Sequence, residues 1–211
     1  NISGTQTPTI SFNVLEEVDA GDYTVKVFTC DNTLSVISPP INLRVFPALG
    51  GGTAGISWGR NTFGALGQGA FSPDHGLPNP IGNVSQFQSI APGAWHTVAL
   101  KDDGTVWCWC DNTYGQLGNN SNVDSATPVQ AQGLTDIVAV AAGGDANLAI
   151  RADGKLFAWG SDYYGQLGLP NNVYYYVPVP VPGVDCVSAI SVGGLHSLLV
   201  KSDGTVWSVG N

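Results

Sequence analysis

The side chains best equipped for chemistry in this chain are its histidines, its cysteines and a set of aspartates that each precede a glycine. His96 and His196 stand about 100 residues apart, with Ala146 midway between them. Either could act as a general base or a metal ligand, but neither has a second ligand at metal spacing. A histidine that recurs at this interval is read as a hydrogen-bonded structural residue. His75 is not repeated; it lies in the stretch Ser72-Pro73-Asp74-His75-Gly76, expected to be an exposed loop, and is a candidate for partner contact. Asp103, Asp153 and Asp203 would suggest acid–base work if they converged, yet each precedes a glycine and reads as a turn residue. Cys108 and Cys110 are one residue apart, so they share one face of a strand, the wrong spacing for a CxxC zinc or redox pair. Free thiols, a disulfide and an intermolecular link all stay open for these two, Cys30 and Cys186. No Gly-x-Ser-x-Gly elbow, phosphate-cradling loop or acidic calcium loop occurs. The expectation is no catalytic residue, no cofactor and no metal: a chain that is not an enzyme.

The elements that carry these residues are repeats. The phrase from Trp58 to Gly67 returns as Trp109 to Gly118 and again as Trp159 to Gly168, and a fourth copy starts at Val206-Trp207. Self-similarity at a period of about fifty residues marks stacked supersecondary units that share a core with their neighbours. Within each unit short strands are expected at 89–91, 138–142 and 189–192, then at 97–101, 148–151 and 197–201. An Asp-Gly hairpin turn follows, then the Trp-bearing strand, a Gly-x-Leu-Gly loop, and an outer strand at 128–131 or 177–181. Four antiparallel strands at this period describe a propeller blade, so the chain is read as all-β, a partial β-propeller of four-stranded blades. Trp58, Trp109 and Trp159, with Gly64, Gly67, Gly115, Gly118, Gly165 and Gly168, are read as blade structure. The glycines supply positive φ where the loop folds flat under the next blade.

Composition narrows the function. Hydrophobic residues at 43% supply a packed core, and charged residues at only 11% suit many short strands. Only seven Lys and Arg are present, scattered, in a chain of net charge −9, which argues against binding nucleic-acid backbone or an anionic membrane surface. No apolar run is long enough for a membrane span, and no targeting segment is seen. Because Met is absent even at position 1, the chain is expected to be a processed product or an excerpt, so a missing leader says nothing about secretion.

Residues 1–46 follow a different pattern. Strands are expected at 9–14, 23–28 and 41–45, and Asp19-Ala20-Gly21-Asp22-Tyr23 is similar to the tyrosine corner of an immunoglobulin-like sandwich. The segment is therefore expected to be the last strands of a bacterial-type immunoglobulin-like domain. Residues 47–54 form a Gly-rich linker, and 55–211 carry two complete and two partial propeller repeats.

The repeats resemble the regulator of chromosome condensation family. The resemblance rests on His96-Thr97-Val98-Ala99-Leu100, Asp103-Gly104-Thr105-Val106-Trp107 and the phrase from Trp109 to Gly118, recurring less completely through 146–168 and 196–211. It implies a propeller scaffold. The family includes a guanine-nucleotide exchange factor for a nuclear GTPase, a secreted β-lactamase inhibitor, a plant ultraviolet photoreceptor and bacterial surface proteins, and an immunoglobulin-like module before such repeats looks most like the last group. Three sequons, at Asn1, Asn83 and Asn119, lie in expected loops and matter only if the source glycosylates secreted proteins.

Residues that break the repeat are the candidates for contact: Trp95, His75, and the run Tyr174-Tyr175-Tyr176, read as a loop surface or as an edge strand covered by its neighbour. The leading expectation is an extracellular or cell-surface scaffold that binds a protein or glycan, in adhesion or interaction, through propeller loops. The alternatives are a self-associating assembly unit using open blade edges, and an exchange-factor-like or enzyme-inhibitor propeller.

Overall fold

The computed structural model describes residues 21–23, 26–28, 34–37 and 41–43 and, except for Ser72, Asn171 and Asn172, residues 54–211. The chain divides into two compact units, 1–48 and 49–211. In the first, β1 (Gly21–Tyr23) pairs antiparallel with β4 (Ile41–Leu43), and β2 (Lys26–Phe28) with β3 (Leu34–Ile37). The strand expected at 9–14 and most of the expected immunoglobulin-like pattern, Cys30 included, lie outside the described residues. The four short strands do not define that fold.

The second unit is all-β. It begins with β5 (Ala54–Gly59) and β6 (His75–Ser85), paired antiparallel. Next come β7 (Phe87–Pro92), β8 (His96–Lys101), β9 (Val106–Cys110) and β10 (Ser125–Gln130), one four-stranded antiparallel meander. A second meander joins β11 (Ile137–Gly143), β12 (Ala146–Arg151), β13 (Leu156–Ser161) and β14 (Tyr174–Pro180). β15 (Val187–Val192), β16 (His196–Lys201) and β17 (Val206–Gly210) form a three-stranded sheet. These are propeller blades, two of them complete; no closed sheet is present among the described residues. No helix among them is long and apolar enough to cross a membrane.

The repetition extends to irregularities. The first strand of each of the last three sheets shifts register at the same place, between Phe87 and Ser89, Ile137 and Ala139, and Val187 and Ala189. Each Asp-Gly hairpin places glycine at positive φ, +76° at Gly104, +81° at Gly154 and +84° at Gly204. The preceding aspartate ties the turn: Asp103 Oδ1 accepts from the Thr105 N–H at 3.0 Å and the Thr105 hydroxyl at 2.6 Å. With Lys101 alongside, those bonds hold the Asp103 carboxyl down to about 2.

The core is shared between units. Val98, Leu100, Val106 and Cys108 meet Leu117, Ala149, Phe157 and Trp159 in one cluster spanning the two four-stranded sheets. Leu148, Leu156 and Ala158 meet Leu167, Val181 and Leu199 in the next. A sheet buries one face on its predecessor and the other on its successor, which is why strand β12 is buried along nearly its whole length.

Candidate functional site

The sheets have two chemically distinct ends. At one, here the hairpin end, the Asp-Gly turns join the second and third strands. At the other, the loop end, the third strand leaves through the repeated Gly-x-Leu-Gly loop; His96 and Cys110 face each other across the ladder there.

The loop is built from its own polar side chains. Asn112 Oδ1 accepts from Leu117 N–H at 2.9 Å, while its amide donates to the carbonyls of Ser121 and Val123. Asp124 accepts from the Asn112 N–H at 2.9 Å. In the first sheet Asn61 and Asp74 repeat these roles, Asn61 with Leu66 and Ala70, Asp74 with the Asn61 N–H. The folded loop then offers a carbonyl to the next sheet: Ala65 accepts from Trp109 Nε1 at 3.0 Å, and Gln116 from Trp159 Nε1 at 2.9 Å. Gly118 shows why glycine stands there: its φ is +63°, and a Cβ would lie 3.1 Å from the Trp159 indole.

The predicted structural residues separate by environment. Trp109 and Trp159 are buried, at 1% and 0% exposure, but Trp58 is 58% exposed. Among the described residues no preceding loop offers Trp58 the carbonyl that its two copies use. His96 is buried, and its Nε2 lies 2.6 Å from Asn147 Oδ1 of the following sheet. The Asn147 amide in turn donates to the Gln116 carbonyl. Oδ1 must therefore accept, which puts the proton on Nε2 and leaves Nδ1 a bare acceptor; Nδ1 is buried and has no partner among the described residues. Burial depresses the His96 pKa, against raising influences from the Asn147 bond and from Asp145 and Asp111. His196 is exposed, because no described sheet follows β15–β17 to supply its counterpart of Asn147.

One contact candidate needs correction, and the strand pairing decides between the two readings of another. His75 is not in a loop: it sits in β6 opposite Gly59, half-buried, its Nδ1 3.3 Å from the Asn79 amide. The Tyr174–Tyr176 run takes its edge-strand reading: it is the start of β14, the outer strand of its sheet, paired with Ser161 and Gly160 of β13. Tyr175 donates its hydroxyl to the Pro170 carbonyl and packs into the core, and the Tyr176 carbonyl accepts from Asn120 N–H. Tyr174 alone of the three is exposed, 4.7 Å from the Tyr114 ring. The pleat alternates the run between surface and core.

Trp95 lies at the loop end, in the turn between β7 and β8. It is 52% exposed, edge-on to Phe63 of the preceding loop at 5.9 Å. A cleft of about 210 Å³ runs beside it, lined by Arg60, Thr62, Gly93, His96 and Cys110 among others. Sequence reasoning misses Phe63, Tyr114, Tyr163 and Tyr164, the aromatic residues just ahead of the loop glycine in each copy. Phe63, Tyr163 and Tyr164 are exposed, so with Trp95 and Tyr174 the loop end carries a file of aromatic rings. The signal is present in an aromatic at one register position of every copy, but its recurrence makes it look like repeat geometry.

Cys110 is a second departure that the sequence does not flag. It occupies the place of Gly59, Gly160 and Gly210, and keeps their backbone at φ +91°. Its thiol points to the Thr62 carbonyl at 3.6 Å, and burial raises it to about 11. Cys108, Cys110 and Cys186 are free thiols. Among the described residues no three His, Cys, Asp or Glu side chains converge as a metal site would require.

Meandering four-stranded sheets locked by tryptophan–loop hydrogen bonds define a repeat protein of the β-propeller class. The chain belongs to the regulator of chromosome condensation repeat family, whose model matches residues 56–100, 103–150 and 153–200; a second model of the same repeat matches 87–116 and 137–166. Over 78 residues it is 37% identical to the ultraviolet-B receptor UVR8 of Arabidopsis thaliana, covering 36% of this chain and 18% of the receptor. It is 35% identical over 77 residues to the regulator of chromosome condensation of Xenopus laevis, covering 36% and 18%. It is 32% identical over 85 residues to the human E3 ubiquitin-protein ligase HERC2, covering 38% and 2%. The matched region thus spans less than a fifth of each of these relatives. Among solved structures, human WBSCR16 superposes with a TM-score of 0.65 at 25% identity, over 74% of this chain and 42% of that one. Yeast RCC1 (Prp20), solved bound to Kap60, superposes at 0.64 and 19% identity, over 87% and 50%, a likeness of fold alone.

Proposed function

We propose that the repeats are a non-enzymatic scaffold that binds a protein partner through the loop end, within an extracellular or cell-surface protein that works in adhesion or interaction. The observation that carries this reading is the exposed Trp95–Phe63 pair, continued by Tyr163, Tyr164 and Tyr174, on a frame whose repeated tryptophans Trp109 and Trp159 are fully packed. Large rigid rings held at the surface by a stiff sheet lose little entropy on binding, which suits hot-spot contact. Yeast Prp20, solved a second time, has binding properties to Gsp1p and histones, and protein binding by a propeller of this fold supports the same use here. The extracellular setting rests on the immunoglobulin-like resemblance of residues 1–46 ahead of the repeats. Surface labelling of source cells with a membrane-impermeant reagent tests it: labelling of the parent protein is expected, and protection until lysis would contradict it. The binding reading is tested by placing a photo-crosslinking residue at position 95 or 164, or at the hairpin-end position 185. Discrete adducts with source proteins are expected from the first two alone, and equal capture from position 185 would overturn it.

A second reading, a self-associating assembly unit, is favoured by apolar faces that have buried counterparts elsewhere in the chain. Leu198 and Val206 are exposed where Leu148 and Leu156 are buried, and Ile56 and Trp58 are exposed in the first sheet. Unpartnered sheets of this kind recruit others. Light scattering should then show oligomers growing with concentration, and a constant monomer mass would exclude it.

A further inference from the structure

Charge and aromatic rings are distributed unequally between the two ends of the sheets. At the hairpin end, cations of the chain itself cover the aromatic residues: Lys101 lies 5.9 Å from the Trp107 ring, Arg151 5.3 Å from Phe157 and Lys201 5.1 Å from Trp207. The two ion pairs among the described residues are there as well, Lys101–Asp103 at 3.1 Å and Arg151–Asp153 at 2.7 Å. At the loop end this pattern stops. Phe63, Trp95, Tyr163 and Tyr164 are exposed, and among the described residues no cation lies over them. Asp74, Asp111, Asp124, Asp145 and Asp162 stand at that end, with Arg60 as the single positive charge among its described residues.

Two of those aspartates are tied to the Trp95 turn through the backbone, Asp111 buried with Oδ1 accepting from the Thr113 N–H and hydroxyl. The Trp95 carbonyl accepts the Asp111 N–H at 2.9 Å, and the neighbouring Ala94 N–H donates to Gly144 at 2.9 Å, which brings the Asp145 turn alongside. Gln116 Nε2 bridges the pair, 2.8 Å from Asp111 Oδ2 and 3.3 Å from Asp145 Oδ1. The adjoining cleft is lined in part by His96, whose buried Nδ1 has no partner among the described residues. An exposed aromatic face with two aspartates in its neighbourhood suits a positively charged group.

We infer that the loop end takes a cationic polypeptide segment, with an arginine or lysine side chain laid on the Trp95 indole and its charge against Asp111 and Asp145. This rests on the reading of the loop end as the binding end and gives the partner its chemistry. The hairpin end shows the same recognition satisfied within the chain, by Arg151 over Phe157 beside Asp153. Arg60 opposes the cation, so its removal strengthens binding.

The test is calorimetric titration of the whole chain with a tri-arginine peptide, its tri-citrulline counterpart (same shape, no charge), and the neutral oligosaccharide chitotetraose. Tri-arginine should bind, weakening as salt rises from about 50 to about 500 mM, and tri-citrulline should bind about tenfold more weakly. Trp95→Ala and the near-isosteric Asp145→Asn should each weaken tri-arginine binding about fivefold, Arg60→Gln should tighten it about twofold, and Asp185→Asn at the hairpin end should leave it unchanged. Equal binding of the citrulline peptide, no response to Trp95→Ala and Asp145→Asn together, or binding of chitotetraose but not tri-arginine would overturn the inference. If crosslinking from position 95 captures a partner while tri-arginine fails to bind, this inference falls and the protein-binding reading stands. Arginine binding without any captured partner separates the two in the other direction.

Discussion

His96 Nε2 and Asn147 Oδ1, 2.6 Å apart, join strand β8 of one blade to strand β12 of the next across a buried interface. The bond belongs to a short polar chain that continues from Asn147 to the Gln116 carbonyl, where the Trp159 indole also donates. His96→Ala would leave Asn147 Oδ1 buried and unpaired, at a cost of about 2 kcal/mol in chemical denaturation.

The same histidine gives the fold a pH dependence. Burial holds the His96 pKa below its ordinary 6.5, so the unfolded chain takes up this proton more readily than the folded one. Its contribution is complete above that value and is lost as pH falls through 6.5 towards the folded-state pKa. Thermal midpoints measured from pH 8 to pH 5 should fall, and His96→Ala should flatten that part of the curve.

Asp162 titrates in the opposite sense. It takes the place of Asn61 and Asn112, and its Oδ1 accepts from Leu167 N–H at 2.7 Å as theirs do from Leu66 and Leu117. The other oxygen is buried and has no partner among the described residues, where the asparagines present an amide. Burial raises this carboxyl above its ordinary 3.8, against the N–H groups of Leu167 and Leu169. The folded chain holds the proton to higher pH than the unfolded chain does. Stability is therefore full below 3.8 and is lost as pH rises from there through the folded-state pKa. Asp162→Asn should stabilise the chain by about 1 kcal/mol at pH 7.5 and by nothing at pH 3.

Much of the scaffold is legible in the sequence because each copy serves as a control on the others. Trp109 and Trp159 read as packing residues from register alone, and both are buried against the preceding loop. Trp58 has the same register and lies exposed, since burial of this residue depends on a neighbouring blade rather than on its own sequence. Register also conceals information. Phe63, Tyr114 and Tyr164 recur at one position and look like geometry, although the loop turns Phe63 and Tyr164 outward. The tyrosine run reads from sequence as either loop surface or edge strand, and only its pairing with β13 decides for strand.

Gly118 and Gly133 separate backbone strain from crowding. Both have positive φ, +63° and +71°, but a Cβ at Gly118 meets Pro178 and Trp159 at 3.1 Å, while one at Gly133 meets nothing within 4 Å. Gly133→Ala should cost about 1 kcal/mol, the penalty of the left-handed backbone alone. Gly118→Ala should cost about 2–4 kcal/mol, because it also pushes the Trp159 indole off the Gln116 carbonyl.

The thiols should divide by burial. In a Cys30→Ser background, Cys186 is exposed and should react promptly with a disulfide reagent at neutral pH. Cys108 and Cys110 are buried, and burial pushes both thiols up, Cys110 to about 11. They should react only as the chain unfolds, which the ratio of fast to total thiol would show.

The loop end as the binding end is tested most directly by comparing photo-crosslinking from positions 95 and 185 in the whole chain, under identical exposure to proteins of its source. Position 95 should give a discrete adduct, and position 185 should give none. Adducts of equal yield from both positions would contradict it.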